Sequence, residues 1–243
     1  ANLNFVKEKT QDQLDLQALH RVRSRLVSRR TATINQIRAF LIEQGIAVRT
    51  GAHALRNSLF AILQNRADEI SPRMRDLIIG LYEDWQRLDE RIEIITGEIE
   101  GISKTEANCQ RLMSVPGIGP IISTAVVAAI GTGEAFGRGR DFGAWLGLVP
   151  RQYSTGGRPI LGRISERGSK CLRTLFIQAA HVILMRPHNW QKFSFGPWLT
   201  EAATRLHRNK LATALANKLA RIAWSVLANG QPFDANRQKI AAN

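Results

Sequence analysis

Apolar positions recur at helical spacing along most of this chain. From Gln11 to about Gln44, Leu19, Val22, Leu26, Ile34, Ile37 and Leu41 fall near one face. Arg21, Arg23, Arg25, Arg29, Arg30 and Arg38 cover the rest, and Gly45 is a plausible stop, so one long helix is expected. A shorter helix is expected over residues 55–70. Ser71-Pro72 then reads as an N-cap and first helical position, opening a helix that runs to about Glu100. Within it Leu77, Leu81, Trp85, Leu88, Ile92, Ile95 and Ile99 form a heptad-like stripe. The segments 169–186 and 201–229 also read as helices, the second capped by Thr200 and followed by Gly230. Residues 133–165 are rich in Gly and Arg and read as mostly loop, and no βαβ alternation or long strand pattern appears. The fold class expected is mainly all-α.

Charge divides the chain. Residues 1–104 hold 16 basic and 14 acidic side chains, whereas residues 105–243 hold 18 and 6. The expected organisation follows that line, with a helical linker or arm over 1–104 and a basic domain over 105–243. The basic helix at 11–44 and the acidic one at 71–100 could pair as an antiparallel coiled coil. The same stripe could instead join two chains as a homo-oligomer, or sit in an ordinary helical bundle.

The net charge of +14 and pI of about 10.9 point to a polyanionic partner, because a Lys or Arg placed on a phosphate releases counterions. Arg carries most of that charge, 26 residues against 8 Lys. The planar guanidinium binds phosphate through two parallel hydrogen bonds, which favours nucleic acid over a membrane surface. No signal-peptide pattern opens the sequence and no apolar run reaches spanning length. Cys109 and Cys171 lie in expected helices without metal-type spacing, which suits a reducing cytoplasm. The five histidines also lack metal-ligand spacing, so no metal site and no cofactor is expected in this chain.

Two stretches carry candidate chemistry. In LMSVPGIGPIISTAVVAAIG, 112–131, a Pro-Gly-Ile-Gly-Pro turn is followed by a helix of small residues. This is the pattern of a helix-hairpin-helix: Gly117 and Gly119 let the backbone approach a DNA phosphate, and the next helix points its free amides at the anion. A simple turn between two core helices has the same composition. In 143–173, Ser154 is followed by Thr155-Gly156-Gly157 and flanked by Arg151 and Arg158, with Arg163, Arg167, Lys170 and Arg173 beyond. A hydroxyl in a Gly-flanked loop among guanidiniums suits attack on a phosphodiester, since the arginines can neutralise the developing charge. As a residue alone, Ser154 reads equally as part of a turn.

Three words in order, VPGIGP at 115–120, GLVPRQYSTGG at 147–157 and GRISERGSKCLR at 162–173, resemble the C-terminal domain of IS110-family transposases. The likeness is nearer the IS1111 branch, and the same family includes the Piv and MooV recombinases. Residues 11–105 also resemble that family's helical linker. The resemblance implies transposition or site-specific recombination of an insertion sequence in the bacterial cytoplasm, at the nucleoid. It implies that Ser154 is the nucleophile of a covalent DNA–serine intermediate. Arg151, Arg158, Arg163, Arg167, Lys170 and Arg173 would then contact DNA, with the amides at Gly117 and Gly119. The resemblance also implies a guide non-coding RNA as a partner, and an N-terminal RuvC-like domain whose acidic residues bind Mg²⁺. No such acidic set on strands precedes residue 11, so the metal is expected on a domain separate from this sequence. The alternative is a non-catalytic, structure-specific DNA-binding module or a regulatory transposase relic.

Overall fold

The computed structural model describes residues 8–155 and 157–235. The fold is mainly helical: α1 (Gln11–Glu43), α2 (Ala52–Asn65), α3 (Pro72–Thr105), α4 (Ala107–Met113), α5 (Pro120–Ile130), α6 (Gly139–Trp145), α7 (Lys170–Leu184), α8 (Gly196–Arg205) and α9 (Arg208–Asn229). A single hairpin, β1 (Pro150–Thr155) and β2 (Arg158–Ile164), interrupts them. The chain divides into two compact units, one of Ala18–Glu98 and one of Ala1–Gln17 with Ile99–Asn243.

In the unit Ala18–Glu98, α1 and α3 run antiparallel. The Arg23 guanidinium donates to Thr96 Oγ1 at 2.8 Å, and Arg30 pairs with Asp89 at 3.1 Å. Helix α2 closes over both, so the core here is three-helical: Ile34, Ile37 and Leu41 meet Leu55, Leu59 and Leu63 and then Ile78, Tyr82 and Trp85. That third partner shifts the buried stripe of α3 from the one its sequence suggests. Leu77 is 52% exposed, and Ile78 and Tyr82 are buried in its place. In α1, Val22 is exposed and His20 is buried instead. Arg56 lies over the Trp85 ring at 4.8 Å and pairs with Asp89. Ser71 caps α3, accepting a hydrogen bond from the Met74 amide at 3.2 Å.

The other unit is built around α9. Its buried side chains alternate large and small, Leu211, Ala212, Leu215, Ala216, Leu219, Ala220 and Ala223, so that α6 and α7 approach its backbone closely. Gly139 is one such point: a methyl group there would lie 3.0 Å from the Arg221 carbonyl oxygen. Phe142, Phe176 and Phe195 fill the remaining core. The side-chain amides of Gln13 and Gln17, at the start of α1, donate to the Val127 and Ala128 carbonyls of α5.

Three elements differ from the sequence expectation. Residues 133–165 are not mostly loop, because α6 and the hairpin lie there. Neither hairpin face is packed away, so no inside–outside alternation marks its strands: Tyr153 is 57%, Ile160 52% and Leu161 65% exposed. The segment 201–229 is two helices. Helix α8 starts earlier, at Gly196-Pro197, so Thr200 lies inside it with its hydroxyl donating to the Gly196 carbonyl. The break at Leu206-His207 follows from His207, whose Nδ1 accepts from the Asn209 amide and caps α9. Helix α2 starts after Gly51 and ends at Asn65, earlier at both ends than expected, and Gly230 ends α9 in the left-handed conformation.

Candidate nucleic-acid interface

Between α4 and α5 the chain turns within six residues. Glu106 caps α4 by accepting from the Cys109 amide at 2.7 Å, and the Ile118 amide closes the turn on the Val115 carbonyl at 3.0 Å. Ser123 and Ala125 are buried, which lets α4 and α5 pack closely. Burial, chiefly, pushes the Cys109 thiol up to about 12, with Glu106 adding to the effect. That thiol is therefore a core residue with no nucleophilic character.

The two glycines of the turn have different surroundings. Gly117 is left-handed at φ 81°, and a methyl group there would sit 3.0 Å from Ile183 Cδ1 and 3.3 Å from the Ala179 carbonyl oxygen. Its lack of a side chain serves the approach of the turn to α7. Gly119 precedes α5 as its N-cap with open space around it. Of the two, Gly119 is the one with room for a ligand beside its Cα.

The hairpin stands on a base held by backbone. Gly147 and Gly168 are both left-handed, at φ 74° and 80°. A methyl group at Gly147 would lie 2.3 Å from the Arg167 carbonyl oxygen, and one at Gly168 only 1.8 Å from that of Trp145. Nothing but hydrogen fits at either place. The Ser165 amide then bonds the Val149 carbonyl at 2.8 Å, and that of Glu166, itself left-handed, bonds Gly147. Arg173 donates to the Leu146 and Arg167 carbonyls at 3.0 and 3.4 Å, and Asn217 of α9 donates to Leu148. Two of the motif words thus meet in space: GLVP and ERGS form one clamp beneath the strands.

Ser154 lies near the outer end of β1, exposed, opposite Pro159, with Thr155 opposite Arg158 next to it. Its Oγ accepts a hydrogen bond from Gln152 Nε2 at 2.9 Å. Arg158 is paired with Thr155, so the pleat sends its side chain from the face of the hairpin opposite that of Ser154. Arg151 and Arg163 lie nearer the base, where a bulge separates Pro150 from Gln152 in the ladder, and Arg151 donates to the Ser165 carbonyl at 3.2 Å. Arg167 is exposed on the link to α7 and Lys170 at the first position of that helix, while Arg173 is half-buried in the clamp. The Tyr153 ring covers Gly162, where a methyl group would meet it at 3.2 Å.

Among the described residues, no three His, Cys, Asp or Glu side chains come together as a metal site. The side chains of the described residues do not fit Mg²⁺. No helix among the described residues is long and apolar enough to cross a membrane. Trp190 and Trp198 are packing residues: Trp190 Nε1 donates to the Ile183 carbonyl, and Trp198 lies beneath the Lys218 ammonium. The sequence reading missed a second group of cations, Arg138 and Arg140 with Lys218 and Arg221, because more than half of residues 105–243 separates the two pairs in the chain. The signal available was the short spacing within each pair.

Comparison with known proteins settles the lineage. The model of the IS116/IS110/IS902 transposase family matches residues 109–194, a span holding the turn, the clamp and the hairpin. The transposase for insertion sequence element IS1328 of Yersinia enterocolitica is 40% identical over 96% of this chain and 68% of its own length. The chain belongs to the IS116/IS110/IS902 family of transposases. That for IS1111A of Coxiella burnetii is 38% identical over 96% of this chain and 64% of its own. The pilin gene-inverting protein of Moraxella bovis is a more distant relative of this transposase chain, 28% identical over 51% of it. The chain spans about two thirds of the length of the two insertion-sequence transposases.

Proposed function

We propose that this chain supplies the serine half of a DNA recombination site, with Ser154 as nucleophile. The observation that supports it best is an exposed hydroxyl near the end of a hairpin whose base is locked by backbone contact. A reacting group needs such positioning without burial, because the scissile strand must reach it. In the proposed step Ser154 Oγ bonds to the phosphorus of a phosphodiester, and the bond from phosphorus to one sugar oxygen breaks. The departing oxygen takes up a proton, and the serine proton passes to a base. Arg151, Arg158 and Arg163 together would hold the DNA strand and neutralise charge on the phosphorane. Exposed Arg167 and Lys170, and the backbone at Gly119, would bind neighbouring phosphates.

Gln152 donates to Ser154 and cannot accept its proton, so the base comes from outside the hairpin. In this reading it would come from a separate acidic RuvC-like domain, which would also hold Mg²⁺. Assembly as a homo-oligomer through α1–α3, and a guide RNA, belong to the same reading.

The test is a suicide-substrate assay. The chain is mixed with nicked element-end DNA and Mg²⁺, with and without a RuvC-like domain from a relative, and a denaturing gel is searched for a protein–DNA adduct. The expected result is an adduct with the domain supplied that disappears in Ser154→Ala. Tight DNA binding without any adduct would favour a non-catalytic binding module or a regulatory relic.

A further inference from the structure

Away from the hairpin, a cavity of about 580 Å³ opens where the start of α6, the second half of α9 and the segment 231–234 meet. Its wall carries four cations: Arg138 and Arg140 from the α6 side, Lys218 and Arg221 from one face of α9. Backbone packing brings the pairs together. Gly139, between the two arginines, is pressed against α9 so tightly that a methyl group there would be 3.2 Å from the Arg221 Cα and from Trp224 Cε3. Among the described residues, none of the four cations has a carboxylate partner. The carboxylate on the wall, Asp234, is already engaged. Burial, and then Arg221, lower the Lys218 pKa, so a bound anion would relieve a repulsion that folding has built in.

The rest of the wall is aromatic and aliphatic. Trp224 is fixed by its Nε1 hydrogen bond to the Gly133 carbonyl at 3.1 Å, and Phe195 and Phe233 lie nearby with Ile222. A concave site with cations beside aromatic rings suits a phosphate with a planar base attached. Its volume suits one nucleotide and not a duplex, whose bases have no free faces.

We propose that this cavity binds one nucleotide of an unpaired nucleic-acid strand, its phosphate on Arg138, Arg140, Lys218 and Arg221 and its base against Trp224 and Phe233. The proposal rests on the reading that the chain handles nucleic acid, but it requires no chemistry at Ser154.

The experiment measures fluorescence anisotropy of labelled 12-nucleotide single-stranded DNA, single-stranded RNA and duplex DNA with the full chain, over a salt series. Arg138→Gln/Arg140→Gln changes two exposed side chains, so folding is not at stake, and Lys218→Gln/Arg221→Gln tests the α9 pair. Each double variant is expected to weaken single-strand binding about tenfold or more and to reduce the salt slope by roughly 1.4, while duplex binding changes less than about twofold. A loss confined to DNA or to RNA supports the site and identifies which strand occupies it. Unchanged single-strand binding in both variants, or an equal loss on duplex, overturns the proposal. The Ser154-dependent adduct is expected to persist in both variants on fully duplex ends, so a failure of the nucleophile assignment is read separately.

Discussion

The nine most buried positions of α9, from Leu211 to Leu227, are each at most 5% exposed, whereas Tyr153, Ile160 and Leu161 of the hairpin each leave more than half of their surface in solvent. Both regions belong to the same unit, and Asn217 of α9 donates to the Leu148 carbonyl in the clamp beneath the hairpin. The difference teaches where each does its work. Helix α9 is held by apolar area removed from water, at roughly 25 cal/mol per Å². The hairpin removes little. Its position comes from Gly147 and Gly168, where backbone meets backbone, and from Arg173, whose guanidinium spans the clamp. A surface built this way can carry reactive groups without stability depending on them.

Changes in the helical core should give the largest effects. Phe176 of α7 has no exposed surface and meets Phe142 edge-on, so Phe176→Ala is expected to cost about 3–5 kcal/mol in urea unfolding. A loss below about 1 kcal/mol would mean that α7 and α9 are not the centre of stability.

The same contrast between packed and exposed positions exists inside α1, between His20 and Val22. Burial, then Arg23, lower the His20 pKa from 6.5 to about 4. The unfolded chain therefore binds a proton at higher pH than the folded one. The stability contribution of neutral His20 is full above pH 6.5, falls as pH drops towards 4 and is lost below it. The expected loss is about 3 kcal/mol, read as denaturant midpoint against pH, and His20→Gln should flatten that window.

The clamp comes next. Gly168→Ala places a methyl group against the Trp145 carbonyl at a left-handed φ, and a destabilisation of about 2 kcal/mol or more is expected, with loss of the adduct. Full activity in this variant would show that the hairpin base does not position Ser154. The smallest stability effect belongs to Ser154→Ala, which should change unfolding free energy by less than about 0.5 kcal/mol. A larger change would make Ser154 a structural residue and remove the contrast.

Helices with a periodic stripe and a local cap were legible in the sequence. Ser71-Pro72 marks the start of α3 and Gly230 ends α9. The registers of α1 and α3 were less so, because the third helix, α2, decides which of Leu77 and Ile78 faces inward. The hairpin was hidden for a different reason: strands that bury neither face leave no alternation to read. Its candidate chemistry, a serine among glycines and arginines, is a matter of composition and stands in the sequence. What composition could not distribute was the work among six cations. The structure places Arg158 at the end of the hairpin, on the face opposite Ser154, and Arg173 in the clamp, a distinction that depends on strand register and on carbonyls distant in sequence.

Tyr153, adjacent in the strand, offers a second exposed hydroxyl, so the central claim is tested by finding the atom that bears the DNA. The covalent adduct would be digested with protease and nuclease and the nucleotide remnant located by tandem mass spectrometry. The account predicts a remnant on Ser154, retained in Tyr153→Phe. A remnant on Tyr153 or elsewhere would contradict it.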